Sequence, residues 1–295
     1  MDAGQFALTT AVSTASHPFT YARVLIQLGH EPLSPYQTKS FIWFGKDILA
    51  YPGVFAYVGH IRRTDGFTGL FRGLSPRLIS TLTSNYVGAS IRKVLKSKWT
   101  LDANEPEGSV KKYLLETTQD MIARYAGIII SHPFQVIMVR SMAEFVGRED
   151  IYSGWLTPYS EIYQKEGIWG FFAGLVPRLI GDTILLWVTN TLVYLINSYI
   201  VKDKELQTYT YPACTHITTH FTYSFTLVSN IMAVNNAGLA LAAPPIIPAF
   251  DSWRDCWSYL KSNNELKRGA SLLFARTCNI PKASHHQALD FYMQR

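Results

Sequence analysis

Five long apolar stretches alternate with shorter polar segments along the chain. They cover residues 5–28, 74–95, 117–141, 175–200 and 211–239. Each contains the roughly 20 residues that a helix needs to cross the hydrocarbon core of a bilayer. The pattern predicts an all-α membrane protein with about five transmembrane helices. Long buried helices in one large soluble domain are the alternative interpretation.

A recurring phrase inside these stretches indicates an internal repeat. Ser-His-Pro-Phe occurs at 16–19 and again at 131–134, so that Pro18 and Pro133 each interrupt an apolar run. A proline inside a helix removes a backbone hydrogen bond and kinks the helix, at a cost of about 3 kcal/mol. A weaker copy, Tyr-Ser-Phe-Thr at 223–226, has serine in place of the proline. Because proline is unfavourable inside a helix, its occurrence at matching positions favours a repeated structural unit.

A second phrase gives the period of the repeat. DGFTGLFRGLSPRLI at 65–79 matches EGIWGFFAGLVPRLI at 166–180, and a worn copy, ELKRGASLLFAR, occupies 265–276. The two full copies lie about 100 residues apart, a period typical of a repeated structural unit. In each, a glycine permits close backbone packing, and a proline three residues later suits the first turn of a helix. These motif residues are Gly73, Pro76, Gly174 and Pro177.

The repeats predict a single membrane domain over residues 1–295. Repeat 1 is expected at about 1–100, repeat 2 at about 110–202, and a degenerate repeat 3 at about 205–295. Each unit consists of an odd-numbered helix, a loop and an even-numbered helix.

Composition and charge support a membrane protein. Asp, Glu, Lys and Arg make up 16% of the residues, against about 25% in soluble domains. The formal net charge of +6 suits contact with anionic lipid. Nucleic-acid binding is not expected, because no basic run is interleaved with aromatic residues. No Lys or Arg occurs before Arg23, whereas secretory signals and transit peptides contain basic residues. The targeting signal is therefore expected to lie within the chain.

The sequence predicts no enzyme. It contains no nucleophile elbow, P-loop, dinucleotide fingerprint or zinc-protease helix. Its three cysteines are scattered and give neither a disulfide framework nor a metal spacing. His216 and His220 are one helical turn apart, but no third metal ligand is suggested nearby. No catalytic residue, metal or cofactor is therefore predicted.

The repeats resemble those of the mitochondrial carrier family, and in particular its carrier homolog branch. The phrases that carry the resemblance are HPFQVIMVRSM, EGIWGFFAGLVPRLIGD, LVSNIMAVNNAGLA and SWRDCW. They are long and ungapped, and the resemblance covers almost the whole chain. It implies six helices in three repeats around a central cavity.

The resemblance also implies that this chain has lost the carrier gate. Carriers have an acidic residue two positions after the kink proline and a basic residue five positions after it, which lock the odd helices together. The acid positions here hold Thr20, Gln135 and Thr226, and the base positions hold Arg23, Met138 and Ser229. We therefore expect no charge latch and no alternating access.

The sixth helix of the family is expected to be missing. The residues after Arg276 are few and contain a proline, two histidines and charged side chains, a density that a membrane span does not tolerate. In a six-helix ring, the resulting gap lies between helix five and helix one. The expected cavity is therefore a polar groove that opens sideways into lipid.

Candidate groove residues follow from this expectation. Small polar side chains recur along helix five with helical spacing: Thr215, Thr219, Thr222, Thr226, Ser229, Asn230 and Asn236. Packing or bonding to their own helix is the structural alternative. Arg23 is predicted to face the gap, since a charge at membrane depth usually faces a cavity or a partner, with snorkelling to the interface as the alternative.

Asp182 is the second charged candidate for the groove. It lies near the start of helix four, where a carboxylate is favoured by the helix dipole, so that capping is the alternative role. Arg124 and Arg140 near the ends of helix three are expected at the membrane interface.

The resemblance implies a function in the mitochondrial outer membrane. The implied activity is insertion of α-helical membrane proteins, tail-anchored ones especially, without nucleotide, with lipid scrambling as a related activity. The expected partners are these clients, membrane lipids and pro-apoptotic Bcl-2-type proteins, with no nucleic acid. A metabolite carrier of the inner membrane and a pure receptor or scaffold are the alternatives.

Overall fold

The computed structural model describes residues 3–39, 47–99, 109–152, 154, 156–242, 247–270 and 276–277. This part of the chain is mostly helical. The helices are α1 Ala3–Ala15, α2 His17–Gln27, α3 Val54–Gly69, α4 Leu74–Lys98, α5 Val110–Gly147, α6 Thr157–Glu166, α7 Leu175–Tyr199, α8 Lys204–Val234 and α9 Trp253–Ser262. Short 3-10 helices occupy Gly167–Phe172 and Ala240–Ala242.

The long helices pack as two antiparallel pairs, α4 with α5 and α7 with α8, and α5 also contacts α2, α7 and α8. Their apolar faces meet in one buried core to which Tyr21, Leu25, Met142, Leu227 and Val234 contribute fully buried side chains. The core lies towards the end of the bundle at which α2, α5 and α8 finish.

The two kink prolines have different effects on their helices. The first predicted span, 5–28, is broken at Ser16, and α2 begins directly afterwards with Pro18 in its first turn. Pro133 lies inside α5, which continues on both sides of it. The hydrogen bonds and packing of the longer helix outweigh the bond that the proline removes.

The end of α8 differs from the predicted span of 211–239. The helix stops at Val234, so that Asn236 lies in the following turn. The Asn235 side chain accepts a hydrogen bond from the Phe250 N–H at 3.0 Å and donates one to the Phe250 carbonyl at 2.8 Å. This anchoring turns the chain away from the helix axis. The prediction that Asn236 lies on the polar face of helix five, which is α8 here, was therefore wrong.

Two helical runs in the described part of the chain are long and apolar enough to cross a membrane. They are Val110–Gly147 and Thr157–Tyr199, the second of which joins α6 to α7. Helices α1 and α2, of 13 and 11 residues, meet at Ser16, where the hydrogen bonds from the Ser16 N–H to Val12 and from the Thr20 N–H to Ser16 continue the helical pattern. The five predicted spans stay a prediction.

A small antiparallel sheet, which the hydrophobic pattern did not predict, lies between α2 and α3. Strand β1 is Tyr36–Lys39, β2 is Asp47–Tyr51, and β3 is Arg276–Thr277, in which Thr277 pairs with Ala50. Strand β3 therefore lies beside the connection from α2 to α3. Residues 278–295, which the missing-helix prediction concerns, lie outside the described residues.

Candidate functional site

The same hydrogen bond joins the Ser-His-Pro-Phe phrase to the glycine motif in the first two repeats. His17 Nε2 donates to the carbonyl oxygen of Arg72 at 2.9 Å, and His132 Nε2 donates to that of Ala173 at 3.0 Å. Because a carbonyl only accepts, the Nε2 of each ring carries the proton. In both copies the acceptor directly precedes the motif glycine.

The third, degenerate copy makes the equivalent contact with a different side chain. Tyr223 stands where the other copies have histidine, and its hydroxyl donates to the Arg268 carbonyl at 2.7 Å. The next residue in each copy, Gly73, Gly174 or Gly269, has a φ of 76° or 77°. This left-handed conformation favours glycine. The local geometry therefore persists where the sequence match is weak.

Each motif glycine lies against the kink-proline helix of the next repeat around the bundle. A β-carbon on Gly73 would lie 3.1 Å from the Met138 carbonyl oxygen of α5, and one on Gly174 would overlap the Ser229 carbonyl of α8. A β-carbon on Gly269 would lie 3.3 Å from Gln27 Cγ of α2. The three contacts form a circle, and we call this end of the bundle the closed end.

A hydrogen-bond network around Gln27 completes the circle between α2 and α8. The Gln27 amide donates to the Tyr223 hydroxyl at 2.9 Å and accepts from the Asn230 amide at 2.7 Å. The Arg268 guanidinium donates to the Gln27 carbonyl at 2.7 and 3.1 Å. At this end α2 and α8 are thus in direct contact, and any sideways opening between them lies further along the helices.

Two of the latch positions at the closed end make neutral contacts. Ser229 Oγ donates to the Gly174 carbonyl at 2.8 Å, and Thr20 Oγ1 donates to the Ser16 carbonyl of its own helix. Arg23 is exposed and forms no hydrogen bond or ion pair with the described residues.

A buried ion pair also stabilises the closed end. Arg140 is fully buried, and its two terminal nitrogens lie 2.5 and 2.9 Å from the carboxylate oxygens of Glu166. Its Nε donates to the Ala233 carbonyl at 2.9 Å. The expectation of an interfacial Arg140 was wrong, because the side chain is enclosed between α5, α6 and α8.

The opposite end of the bundle, where α4 and α7 finish and α5 and α8 begin, contains two adjoining cavities of about 450 and 350 Å³. Arg92, Asp120 and Tyr211 line both, and we call the two together the mouth cavity. Arg92 and Asp120 form an ion pair with a closest distance of 2.8 Å. The Arg92 side chain is 49% exposed, so the pair is accessible.

A second ion pair joins Arg124 of α5, which lines the smaller cavity, to Asp182 of α7. Arg124 donates to Asp182 Oδ1 through two nitrogens, at 2.6 and 2.8 Å. Asp182 lies about two turns into α7, beyond the first turn in which the helix dipole favours an acid. The capping alternative for Asp182 was therefore wrong. The carboxylate is held by Arg124 at the edge of the cavity.

The polar residues predicted on helix five of the family lie on α8, where they divide between two environments. Thr219 and Thr226 are exposed and Thr215 is partly exposed, whereas Thr222 is buried. The hydroxyls of Thr215, Thr219 and Thr222 donate to carbonyls four residues earlier on α8. Ser229 and Asn230 belong to the closed end, as described above.

Large apolar side chains remain exposed on both helices beside the predicted sideways opening. On α8, Tyr209, Ile217 and Phe221 are exposed, as are Leu8 and Val12 on α1. Helix α1 packs on α2 and α4, while α8 packs mainly on α7 and also contacts α5, α9 and α2. These faces have the character of lipid-facing surfaces.

Arg92 and Asp120 were not predicted from the sequence, and neither were the partners of Asp182 and Arg140. A signal was present for Asp120 and Arg124, because an ionisable residue inside an apolar span is by default a functional candidate. The partners themselves depend on how neighbouring helices align, which periodicity does not give.

Comparisons with known proteins give a family match and similar relatives. A family model described as mitochondrial carrier protein matches residues 3–102 and 115–204. Mitochondrial carrier homolog 2 of Bos taurus is 42% identical over 289 residues, which cover 93% of this chain and 94% of the relative. Mitochondrial carrier homolog 1 of Mus musculus is 38% identical over 295 residues, covering 92% of this chain and 75% of the relative. The similarity extends over nearly the whole chain.

Proposed function

Because this chain belongs to the mitochondrial carrier family, we propose that it inserts α-helical membrane proteins into the mitochondrial outer membrane. The clients are proteins with a single C-terminal span, the tail-anchored class, and no nucleotide is consumed. Family membership makes the chain a mitochondrial membrane protein. The outer membrane, the five spans and the missing sixth helix are parts of the proposal.

The contrast between the two ends of the bundle carries the proposal. A carrier exposes its cavity to each side in turn, so both of its ends must open. Here the closed end is held by hydrogen bonds around Gln27 and by the buried pair of Arg140 with Glu166. No charge latch joins the described latch positions. A closed end that is held by hydrogen bonds and a buried ion pair, without a charge latch at the described positions, favours a groove over an alternating-access transporter.

The mouth cavity supplies the polar environment that an inserting segment needs. A charged side chain at the bilayer centre costs at least about 2.5 kcal/mol, and each unsatisfied polar group adds to this barrier. Arg92 with Asp120 and Arg124 with Asp182 present both signs of charge to a passing tail. Once inside, the apolar span is stabilised by roughly 25 cal/mol per Å² removed from water, so no nucleotide is required.

A client must leave the groove sideways to reach lipid. We place the exit between α1 and the first half of α8, where exposed apolar side chains such as Leu8 and Phe221 flank the polar residues. The proposal requires that the segment after Arg276 does not cross the membrane. Cysteine labelling should then find positions 280 and 295 on the same side, and labelling from opposite sides would contradict it.

Reconstitution of the purified full chain in nucleotide-free liposomes tests the activity. Protease protection of a tail-anchored client measures its insertion, and empty liposomes give the background rate. Uptake of small polar metabolites and flip-flop of fluorescent lipids are measured in parallel. Insertion above background supports the proposal. Saturable metabolite uptake without insertion would favour the carrier alternative, and binding of Bcl-2-type proteins alone would favour the receptor.

Helix α8 offers a matched pair of variants for the same assay. Thr219→Val with Thr226→Val removes two exposed hydroxyls, whereas Thr222→Val removes a buried one. We expect the double variant to insert the client roughly threefold more slowly, on the scale of about one lost hydrogen bond, and the control to keep its rate. Equal rates for all three proteins would assign the hydroxyls to packing.

A further inference from the structure

The larger of the two mouth cavities contains side chains that have no role in the ion pairs described above. It has a volume of about 450 Å³ and lies between the start of α5, the second half of α7 and the start of α8. Three tyrosines and two further charged residues of α5 line it: Tyr113, Tyr194, Tyr211, Lys112 and Glu116.

Lys112 and Glu116 supply one uncompensated charge of each sign. Asp120 is paired with Arg92, whereas the side chains of Lys112 and Glu116 form no hydrogen bond or ion pair within the described part of the chain. Residues four apart on a helix have β-carbons about 5–6 Å from each other. The two charges thus face the cavity one turn apart. This arrangement suits a ligand that carries a separated anion and cation.

The tyrosines favour an ammonium group as the cationic part of the ligand. The rings of Tyr113 and Tyr194 lie 4.9 Å apart and are tilted by 30°, and a hydrogen bond of 2.7 Å from the Tyr113 hydroxyl to Thr191 fixes the first ring. Tyr211 of α8 lies across the cavity. Aromatic faces attract alkylated ammonium groups through cation–π contacts, and Glu116 adds a carboxylate on the same wall.

The depth of the cavity points to the source of this ligand. Lys112 and Glu116 directly precede the apolar stretch 117–141, at the level where lipid headgroups meet the hydrocarbon core. We propose that the mouth cavity binds the headgroup of a zwitterionic phospholipid, with its phosphate at Lys112 and its ammonium between Glu116 and the tyrosines. The inference goes beyond insertion, since it concerns a ligand and holds whether or not clients are inserted.

Native mass spectrometry of the full chain tests the proposal. The protein is released from micelles that contain equal amounts of phosphatidylcholine, phosphatidylethanolamine and the anionic phosphatidylglycerol. We expect the two zwitterionic lipids to be retained at least roughly threefold more than the anionic lipid, the scale of one exposed ion pair or cation–π contact. Equal retention of all three, or a preference for phosphatidylglycerol, would overturn the proposal.

Charge variants then locate the site. Glu116→Gln should lower retention of both zwitterionic lipids about threefold while sparing phosphatidylglycerol, and Lys112→Gln should lower retention of all three. Lys93→Gln on α4 is the matched control, because Lys93 is exposed and does not line the cavity. A control that lowers retention as much as Lys112→Gln would show a general charge effect and contradict the site.

An aromatic pair tests the ammonium end. Tyr211 lines the cavity, whereas Tyr209, two residues away on α8, is exposed outside it. Tyr211→Leu should reduce phosphatidylcholine retention about threefold, and Tyr209→Leu should leave it unchanged. The opposite ranking would contradict the role of the tyrosines.

A soluble molecule with the same headgroup is the other source of this chemistry. Glycerophosphocholine carries the phosphate and the ammonium without acyl chains, and it is added to the unmodified protein as a competitor. Retention that persists against a large excess assigns the site to the lipid. Displacement keeps the zwitterion site but assigns it to a soluble ligand, which overturns the lipid assignment. Because this arm needs no variant, it does not depend on how the substitutions fold.

Discussion

The closed end and the mouth cavity use the same residue types in opposite ways. At the closed end, Arg140 is fully buried and its pair with Glu166 is enclosed by three helices. At the mouth, the Arg92 and Arg124 side chains are each 49% exposed beside their acidic partners. Enclosed charges must keep their partners, whereas exposed charges can exchange them. The first end is therefore suited to holding the bundle together and the second to meeting a ligand.

The largest expected difference is in the cost of removing an acid at each end. Glu166→Gln leaves the buried Arg140 without its counter-charge and should lower the free energy of unfolding by about 3–5 kcal/mol. Asp120→Asn breaks the exposed pair with Arg92 and should lower it by no more than about 1 kcal/mol. Denaturant unfolding in mixed micelles measures both. Similar losses for the two variants would abolish the distinction between the ends.

The network around Gln27 should give a smaller loss. Tyr223→Phe keeps the ring but removes the hydroxyl that bonds the Arg268 carbonyl and accepts from Gln27. A buried group left without its partner costs about 1–3 kcal/mol, so we expect a loss within that range. Tyr209→Phe, at an exposed position of α8, is the control and should change the free energy of unfolding little. If the two variants unfold alike, Tyr223 does not hold the closed end.

Acid should weaken the closed end through His30, which follows α2 and packs edge-on against Phe145 with ring centroids 5.9 Å apart. Burial, with a smaller effect of nearby His60, lowers the pKa of His30 to about 4 from 6.5. The unfolded chain therefore binds this proton first. The contribution to stability is complete above about pH 6.5 and is lost as the pH falls towards 4, by at most about 1.4 kcal/mol per pH unit.

Thermal unfolding between pH 7.5 and 4.5 measures this dependence. His30→Gln should flatten the profile, whereas His220→Gln on the exposed face of α8 should not. An unchanged slope in His30→Gln would show that other groups cause the acid sensitivity.

The smallest effect on stability is expected at Arg23, which has no partner among the described residues. Arg23→Ala should change the free energy of unfolding by no more than about 0.5 kcal/mol, yet favour clients with a Lys- or Arg-tipped tail. Asp182→Asn should shift client preference the opposite way, because it leaves Arg124 uncompensated. Insertion of matched clients that differ only in tail charge measures the shift. A shift in the same direction for both variants would contradict this electrostatic role.

Much of the helical framework was predictable because local signals mark it. The glycine and proline of the repeated motif place the start of α4 and α7, and the observed helices, Leu74–Lys98 and Leu175–Tyr199, agree closely with the predicted 74–95 and 175–200. The end of α8 was missed because the side chain of Asn235 ends the helix through a contact with Phe250, 15 residues away. Such a contact has no signal in helical periodicity.

The candidate site was less predictable than the fold. Arg92 and Asp120 are 28 residues apart, and Arg124 and Asp182 are 58 residues apart. Their pairing depends on the axial alignment of α4, α5 and α7, which is set by packing of the whole bundle. Sequence spacing identified Asp182 as a candidate, but it did not show that Arg124 neutralises the carboxylate.

The choice of acceptor at the closed end has a consequence for how the repeats diverge in evolution. His17, His132 and Tyr223 all donate to backbone carbonyls, which every amino acid provides, and the acceptor residue is arginine in two copies and alanine in one. A mutation that changes the acceptor's side chain therefore leaves the bond in place. For this bond, only the donor and the following glycine are constrained. The third copy was thus free to lose most of its sequence likeness while its architecture persisted.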